Sequence, residues 1–207
     1  MTIIEFAYLS LPPPTTSKTP KLLENLITVT KVIEGSSQLP TRFFSSVEDE
    51  NVMFVIGGWP SKSAHQDGFD GSAEQAKLFP LIEGMMQIDW MEYFDVPHEG
   101  IPTWSSYLLA TLWRCGDLDP ERKEELQSKL TGQFRDSAGH EDALVIAQNI
   151  RKERQNLEED LIIAFSGWPD ADAAKRFEEG IKVGCDMGGI MSHPQSYLME
   201  RTQLLSS

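Results

Sequence analysis

The chain has 207 residues, 40% hydrophobic and 24% charged, an ordinary globular composition with length for one large domain or two small ones. Its 18 Lys and Arg against 32 Asp and Glu give a formal net charge of −14, which repels nucleic-acid phosphates and anionic membrane surfaces. Two cysteines, Cys115 and Cys185, are too few for a disulfide framework and point to the reducing cytoplasm.

The start, Met1-Thr2-Ile3-Ile4-Glu5, lacks the basic and apolar regions of a signal peptide. No apolar run approaches the ~20 residues that cross a bilayer. Ile3 to Leu9 reads as a strand, closed by Pro12-Pro13-Pro14. Leu22, Leu23, Leu26, Ile27, Val29 and Val32 then recur at helical spacing. The acidic cluster Glu48-Asp49-Glu50 reads as a solvated loop, as does Glu158-Glu159-Asp160 later. A second strand is expected over Val52 to Ile56, a helix over Glu74 to Ile82, and a strand over Met85 to Val96. Pro97, His98, Gly100 and Pro102 break regular structure and mark a boundary. Beyond it come a strand from Ser106 to Trp113 and a helix from Pro120 to Phe134, with Asp119 placed to cap it. Ala143 to Leu157 reads as a further helix, Leu161 to Phe165 as a strand, Ala171 to Val183 as a helix and Tyr197 to Gln203 as the last strand.

This order contains a repeat. Phe54-Val55-Ile56-Gly57-Gly58-Trp59-Pro60-Ser61 returns as Ile163-Ala164-Phe165-Ser166-Gly167-Trp168-Pro169-Asp170. Both copies end a strand with Gly-Trp-Pro, and each half reads strand–helix–strand–(Gly-Trp-Pro)–helix–strand. The expected class is α+β, two ferredoxin-like halves over residues 1–97 and 98–207, each with an antiparallel sheet. Helices cover only one face of such a sheet, so the other face needs a second sheet. Two linked halves supply it within one chain.

The order of elements, with Trp59, Ser61 and His65 after the strand, resembles the dimeric α/β-barrel superfamily. Within it the chain is similar to the antibiotic-biosynthesis-monooxygenase-like group, including tandem versions from fungal natural-product pathways. In that group a strand ends in Trp, then a small polar residue, then a His opening the helix. The second half departs from this: Ala174 stands where His65 stands in the first. The resemblance implies an intramolecular, pseudo-dimeric α/β-barrel, monomeric or homodimeric. It also implies a cofactor-independent enzyme of secondary metabolism that oxygenates, cyclises or isomerises an aromatic or polyketide-like substrate. The alternative is a small-molecule-binding or stress-response protein without chemistry.

Residue chemistry narrows the candidates. A neutral His65 near a helix N-terminus can take a phenolic proton. Asp89, between Ile88 and Trp90, is costly to bury unpaired and could orient His65 or act as a base. Trp59, Trp90, Tyr107, Trp113 and His98 are the candidate substrate contacts, since an apolar cavity with few polar groups suits an aromatic ligand. Alternation puts Met86, Ile88, Trp90, Glu92 and Phe94 on one face of their strand and Gln87, Asp89, Met91 and Tyr93 on the other. Recurrence of Trp59 and Trp168 argues for packing at the strand–helix corner, with Pro at the first helical position. His140 reads as a helix-start polar residue and His193 as a turn residue, so no metal-ligand spacing emerges. Gly57-Gly58 and Gly188-Gly189 fit no phosphate-loop pattern, and no hydrolase triad or nucleophile elbow is present. Haem is the weakest option, for want of an axial His.

Overall fold

Ile3–Ser10 forms β1, buried on both faces along most of its length, with Glu5 the one carboxylate inside it. In the computed structural model, residues 2–115, 121–122, 124–125, 128–132, 144–150, 160–184 and 194–204 are described. They divide into two compact units, Met1–His98 with Met199–Ser207, and Glu99–Leu198. The class is α+β, with antiparallel strand pairing. Among the described residues no helix is long and apolar enough to cross a membrane.

In the first unit, α1 (Pro20–Ser37) starts on Pro at its first turn, where the missing N–H costs nothing. It ends where Gln38 turns left-handed and its N–H bonds Glu34 O. Leu22, Leu26 and Val29 form its buried stripe. Asn25 shares that stripe, and its amide donates to Leu81 O at 2.7 Å. β2 (Thr41–Ser46) and β3 (Val52–Trp59) follow, and β3 is buried throughout. After Trp59 comes a π-helical turn, Ala64–Phe69, closed by Asp70 N–H on His65 O. The single helix expected over 74–82 is instead two short ones, α2 (Ala73–Ala76) and α3 (Phe79–Ile82). Pro80 accounts for the split, since it has no N–H to bond Ala76 O and so cannot carry α2 onward, while it suits the first turn of α3.

β4 (Gln87–Phe94) completes a strand order β4-β1-β3-β2, and Met199–Arg201 at the end of β8 (Gln195–Arg201) pairs with β2. A bulge corrects the expected alternation on β4. Tyr8 faces Trp90 while Leu9 faces Ile88, leaving Asp89 as the extra residue. Ile88 therefore leaves the face that Trp90 occupies.

The second unit has the order β8-β5-β7-β6, from β5 (Tyr107–Cys115), β6 (Leu144–Gln148), β7 (Asp160–Trp168) and β8. α4 (Ala171–Gly184) follows β7. The helix expected over 143–157 is corrected: 144–148 pair with β7 as a strand, and 151–159 lie outside the described residues. Leu144-Val145-Ile146 is an apolar run with two β-branched residues, and it satisfies strand and helix spacing alike. β2 went unassigned for a similar reason, because Phe43-Phe44 breaks the alternation that marks a half-buried strand. The described residues between 121 and 132 are helical; Asp119, Pro120, His140, Cys185, Gly188-Gly189 and His193 lie outside the described set.

The recurring Gly-Trp-Pro has a steric cause. A Cβ on Gly58 would lie 2.8 Å from Leu39 Cβ and 3.2 Å from His98 Cβ; one on Gly167 would meet Pro102 Cβ and Ser105 Cβ, each at 3.0 Å. In each unit the chain packs directly onto this glycine. Contrary to the expectation, Pro60 and Pro169 are not the first helical residues but link strand to helix; Asp170 caps α4 by accepting Ala173 N–H at 2.8 Å. Gly58→Ala should therefore force Leu39 and His98 aside at a cost of about 1–3 kcal/mol. Denaturant melts of the two proteins would check it, and an unchanged midpoint would count against this close packing.

Candidate active site

Alternation along β1 and its partners gathers a polar group on one face. Glu5 lies between Gly57 on β3 and Tyr93 on β4. Trp59 points to the same face, two residues beyond Gly57. The π-helical turn lays His65 onto it. Such turns occur often at functional sites, since the extra residue re-aims side chains. Glu5 is 7% exposed, His65 5% and Tyr93 4%, so the group is almost dry.

Trp59 Nε1–H donates to Glu5 Oε2 at 2.8 Å, and His65 Nε2 lies 3.2 Å from the same oxygen. His65 Nδ1 is hydrogen-bonded to the Tyr93 hydroxyl. The imidazole packs against Trp59 and Phe69, with ring centroids 4.3 and 5.8 Å away. Asp70 Oδ1 is 3.8 Å from His65 Nε2, and its side chain is 42% exposed. Lys62 Nζ sits 5.7 Å from the centre of the Tyr93 ring.

Burial sets the proton affinities here. It pushes the Glu5 carboxyl up to about 7; the Trp59 hydrogen bond opposes this and the Asp70 charge adds to it. Burial also lowers the His65 imidazole, partly offset by Asp70. The Tyr93 phenol is raised, mainly by burial and then by Glu5 and Asp70, so it stays an O–H. Burial thus favours the neutral form of both the Glu5 carboxyl and the His65 imidazole.

The expected site residues divide. His65 and Trp59 are brought together. Asp89, displaced by the bulge, is exposed and accepts the Ser10 hydroxyl at 3.0 Å, so Glu5 and not Asp89 is the carboxylate beside His65. Trp90 lies on the opposite face of the sheet, edge-on to Phe6 and stacked with Tyr8. His98 is buried in a short turn and packs on Gly58. Tyr107, half-buried, and Trp113, fully buried, belong to β5 of the second unit. Sequence reasoning missed Glu5, Tyr93 and Asp70. The signal for Glu5 was a carboxylate inside the apolar run Ile3-Ile4-Glu5-Phe6-Ala7. Among the described residues no three His, Cys, Asp or Glu side chains converge as a metal site.

The second unit keeps the frame without the chemistry. By register Leu109 replaces Glu5, Ser166 replaces Gly57, and Ala174 replaces His65. Trp168 Nε1–H donates to Ser166 Oγ at 2.9 Å, and Trp168 packs on Phe177 much as Trp59 packs on Phe69.

No protein-family model matches the chain, and no curated protein matches it in sequence. Solved structures do resemble it. An anthrone oxidase-like protein aligns over 98% of this chain and 92% of its own, with TM-score 0.58 and 12% identity. A candidate monooxygenase from Fusobacterium nucleatum aligns over 98% and 93%, with TM-score 0.59 and 10% identity. A chlorite dismutase from Candidatus Nitrospira defluvii aligns over 98% and 91%, also with TM-score 0.59 and 10% identity. At such identities the likeness establishes a shared fold, and the three names span different chemistries.

The Glu5 shift carries a stability consequence. A carboxyl at about 7 in the fold and near 4.5 unfolded keeps its proton longer in the native state, so its stabilising contribution is present below pH 4.5 and lost as pH rises to 7. The loss is worth about 3 kcal/mol. His65, shifted down, contributes with the opposite slope below 6.5. Glu5→Gln should remove the Glu5 component alone. The difference between wild type and variant, read from denaturation midpoints, should shrink steadily between pH 4.5 and 7; a flat difference would mean Glu5 titrates normally.

Proposed function

We propose that this chain is a natural-product tailoring enzyme that works without a cofactor, and that its chemistry resides in the first unit. It acts on an aromatic or polyketide-like substrate by removing a proton from an acidic O–H or C–H. The resulting electron-rich anion then reacts with dioxygen, cyclises or isomerises. Two ferredoxin-like halves, residues 1–97 and 98–207, form the scaffold in this reading; the matching strand orders of the two units support it. The oxidase- and monooxygenase-named structural neighbours are in keeping with oxidative chemistry.

One observation carries the reading: a dry imidazole held between a phenol and a carboxyl poised near neutrality. The chain Tyr93–His65–Glu5 can take up one proton by a concerted shift. Substrate gives its proton to Tyr93 Oη as the phenol passes its own to His65 Nδ1. The proton on Nε2 moves to Glu5. The step starts from the ionised form of Glu5, held by Trp59 Nε1–H and the His65 imidazole, and ends with Glu5 protonated, so the negative charge passes from the buried group to the substrate. Substrate contacts at Trp59 and the edge of the first unit would supply orientation.

A binding protein without chemistry is the competing reading, favoured by the engagement of both His65 nitrogens within the protein. Purified protein incubated with candidate phenols, with and without oxygen, separates the cases. Oxygen uptake supports a monooxygenase, an isomeric product a cyclase or isomerase, and binding without change the carrier. His65→Ala and Tyr93→Phe should each lower turnover about 10²–10⁴-fold with binding retained. Full turnover in both variants would exclude this proton chain from the reaction.

A further inference from the structure

Beside Gly57 the structure brings Thr41, which the proton chain does not use, next to the Glu5–Trp59 pair. A Cβ built on Gly57 would lie 3.5 Å from Trp59 Nε1, 3.6 Å from Thr41 Oγ1 and 3.9 Å from Glu5 Cδ. The register explains the convergence, since Gly57 pairs with Glu5 on β1 and with Thr41 on β2. Thr41 is 1% exposed, and its hydroxyl has no hydrogen-bond partner among the described residues. The two contacts of Glu5 fall on Oε2, and its carboxyl carbon lies on this side of Gly57. Leaving a buried hydroxyl unpaired is costly, and native proteins commonly meet that need with an internal water.

The second unit shows what the position asks for. There Ser166 stands at the Gly57 position and brings its own oxygen, which accepts Trp168 Nε1–H. Its neighbours across the ladder are Leu109 and Leu144, with no polar side chain to serve. In the first unit the glycine supplies no oxygen, while Glu5 and Thr41 supply two groups that need one.

We propose that the space over Gly57 is a built site for a single water molecule, which accepts from or donates to Thr41 Oγ1 and donates to the Glu5 carboxyl. Thr41 is thereby a positioning residue for the Glu5 proton. A water donating to the carboxylate favours its charged form and holds its proton affinity down. This rests on the geometry around Gly57 and stands whether or not the proton chain turns over a substrate.

The test reads the Glu5 titration directly, by the infrared band of its protonated carboxyl, assigned through its loss in Glu5→Gln. Thr41→Val removes the hydroxyl at nearly constant shape. Gly57→Ala puts a methyl group into the water's space at ordinary contact distances, so the fold tolerates it. Both should move the Glu5 midpoint upward, by on the order of half to one pH unit. Thr41→Ser, which keeps the hydroxyl, should leave it near the wild-type value. A midpoint unmoved in Thr41→Val and Gly57→Ala, with Thr41→Val raising the melting temperature, would overturn the site, because it would show a hydroxyl that truly lacks a partner. Loss of turnover in His65→Ala is read separately, so a failed water site and a failed reaction give different results.

Discussion

A carboxyl group buried in an apolar strand is the constraint around which the first unit is arranged. Glu5 sits among Ile3, Ile4, Phe6 and Ala7, where an unpaired charge would be prohibitive. The surrounding structure answers with an indole N–H, an imidazole and a proton. Gly57 leaves the room for that group, Trp59 aims its N–H along the strand, and the π-helical turn delivers His65 at the one place where ring and carboxyl meet. Removing any of these leaves a polar atom facing hydrocarbon, which ties the packing of this region to its chemistry.

The two units make a controlled comparison within one molecule. Both use Gly-Trp-Pro, both need a glycine under a crossing segment, and both pack the Trp on a Phe of the following helical segment. These shared features are structural. The differences are polar: Glu5, Gly57 and His65 against Leu109, Ser166 and Ala174. Trp168 finds its acceptor on Ser166, two residues away, and needs no distant carboxylate. The polar cluster of the first unit is therefore not required by the fold, which is the best structural ground for giving it a separate purpose.

Much of this was legible in the sequence. Ile3–Ser10, Val52–Trp59 and Pro20–Ser37 announce themselves by apolar runs, helical spacing and proline punctuation, and the Gly-Trp-Pro repeat marks corresponding corners. His65 stands out by its place after Trp59. What stayed hidden depends on pairing between distant strands. Nothing local says that Tyr93 faces Glu5, because that register is set by the pairing of β1 with β4, far apart in sequence. The bulge at Asp89 moved the suspected carboxylate out to Ser10, while the carboxylate that mattered looked like an anomaly in a core strand. β6 was misread because Leu144-Val145-Ile146 fits either period, and only its partner β7 settles which one it follows.

Asp70 gives the buried group a link to the surroundings. Its side chain is partly in contact with solvent, and its charge raises the proton affinity of Glu5, His65 and Tyr93 alike. Anything that neutralises that outer charge, whether added salt, a cation or an ammonium group on an arriving molecule, makes the interior more acidic without touching it. The acidity of the interior is thus partly governed from the surface, and a positively charged visitor would find it readier to give up a proton than a neutral one would.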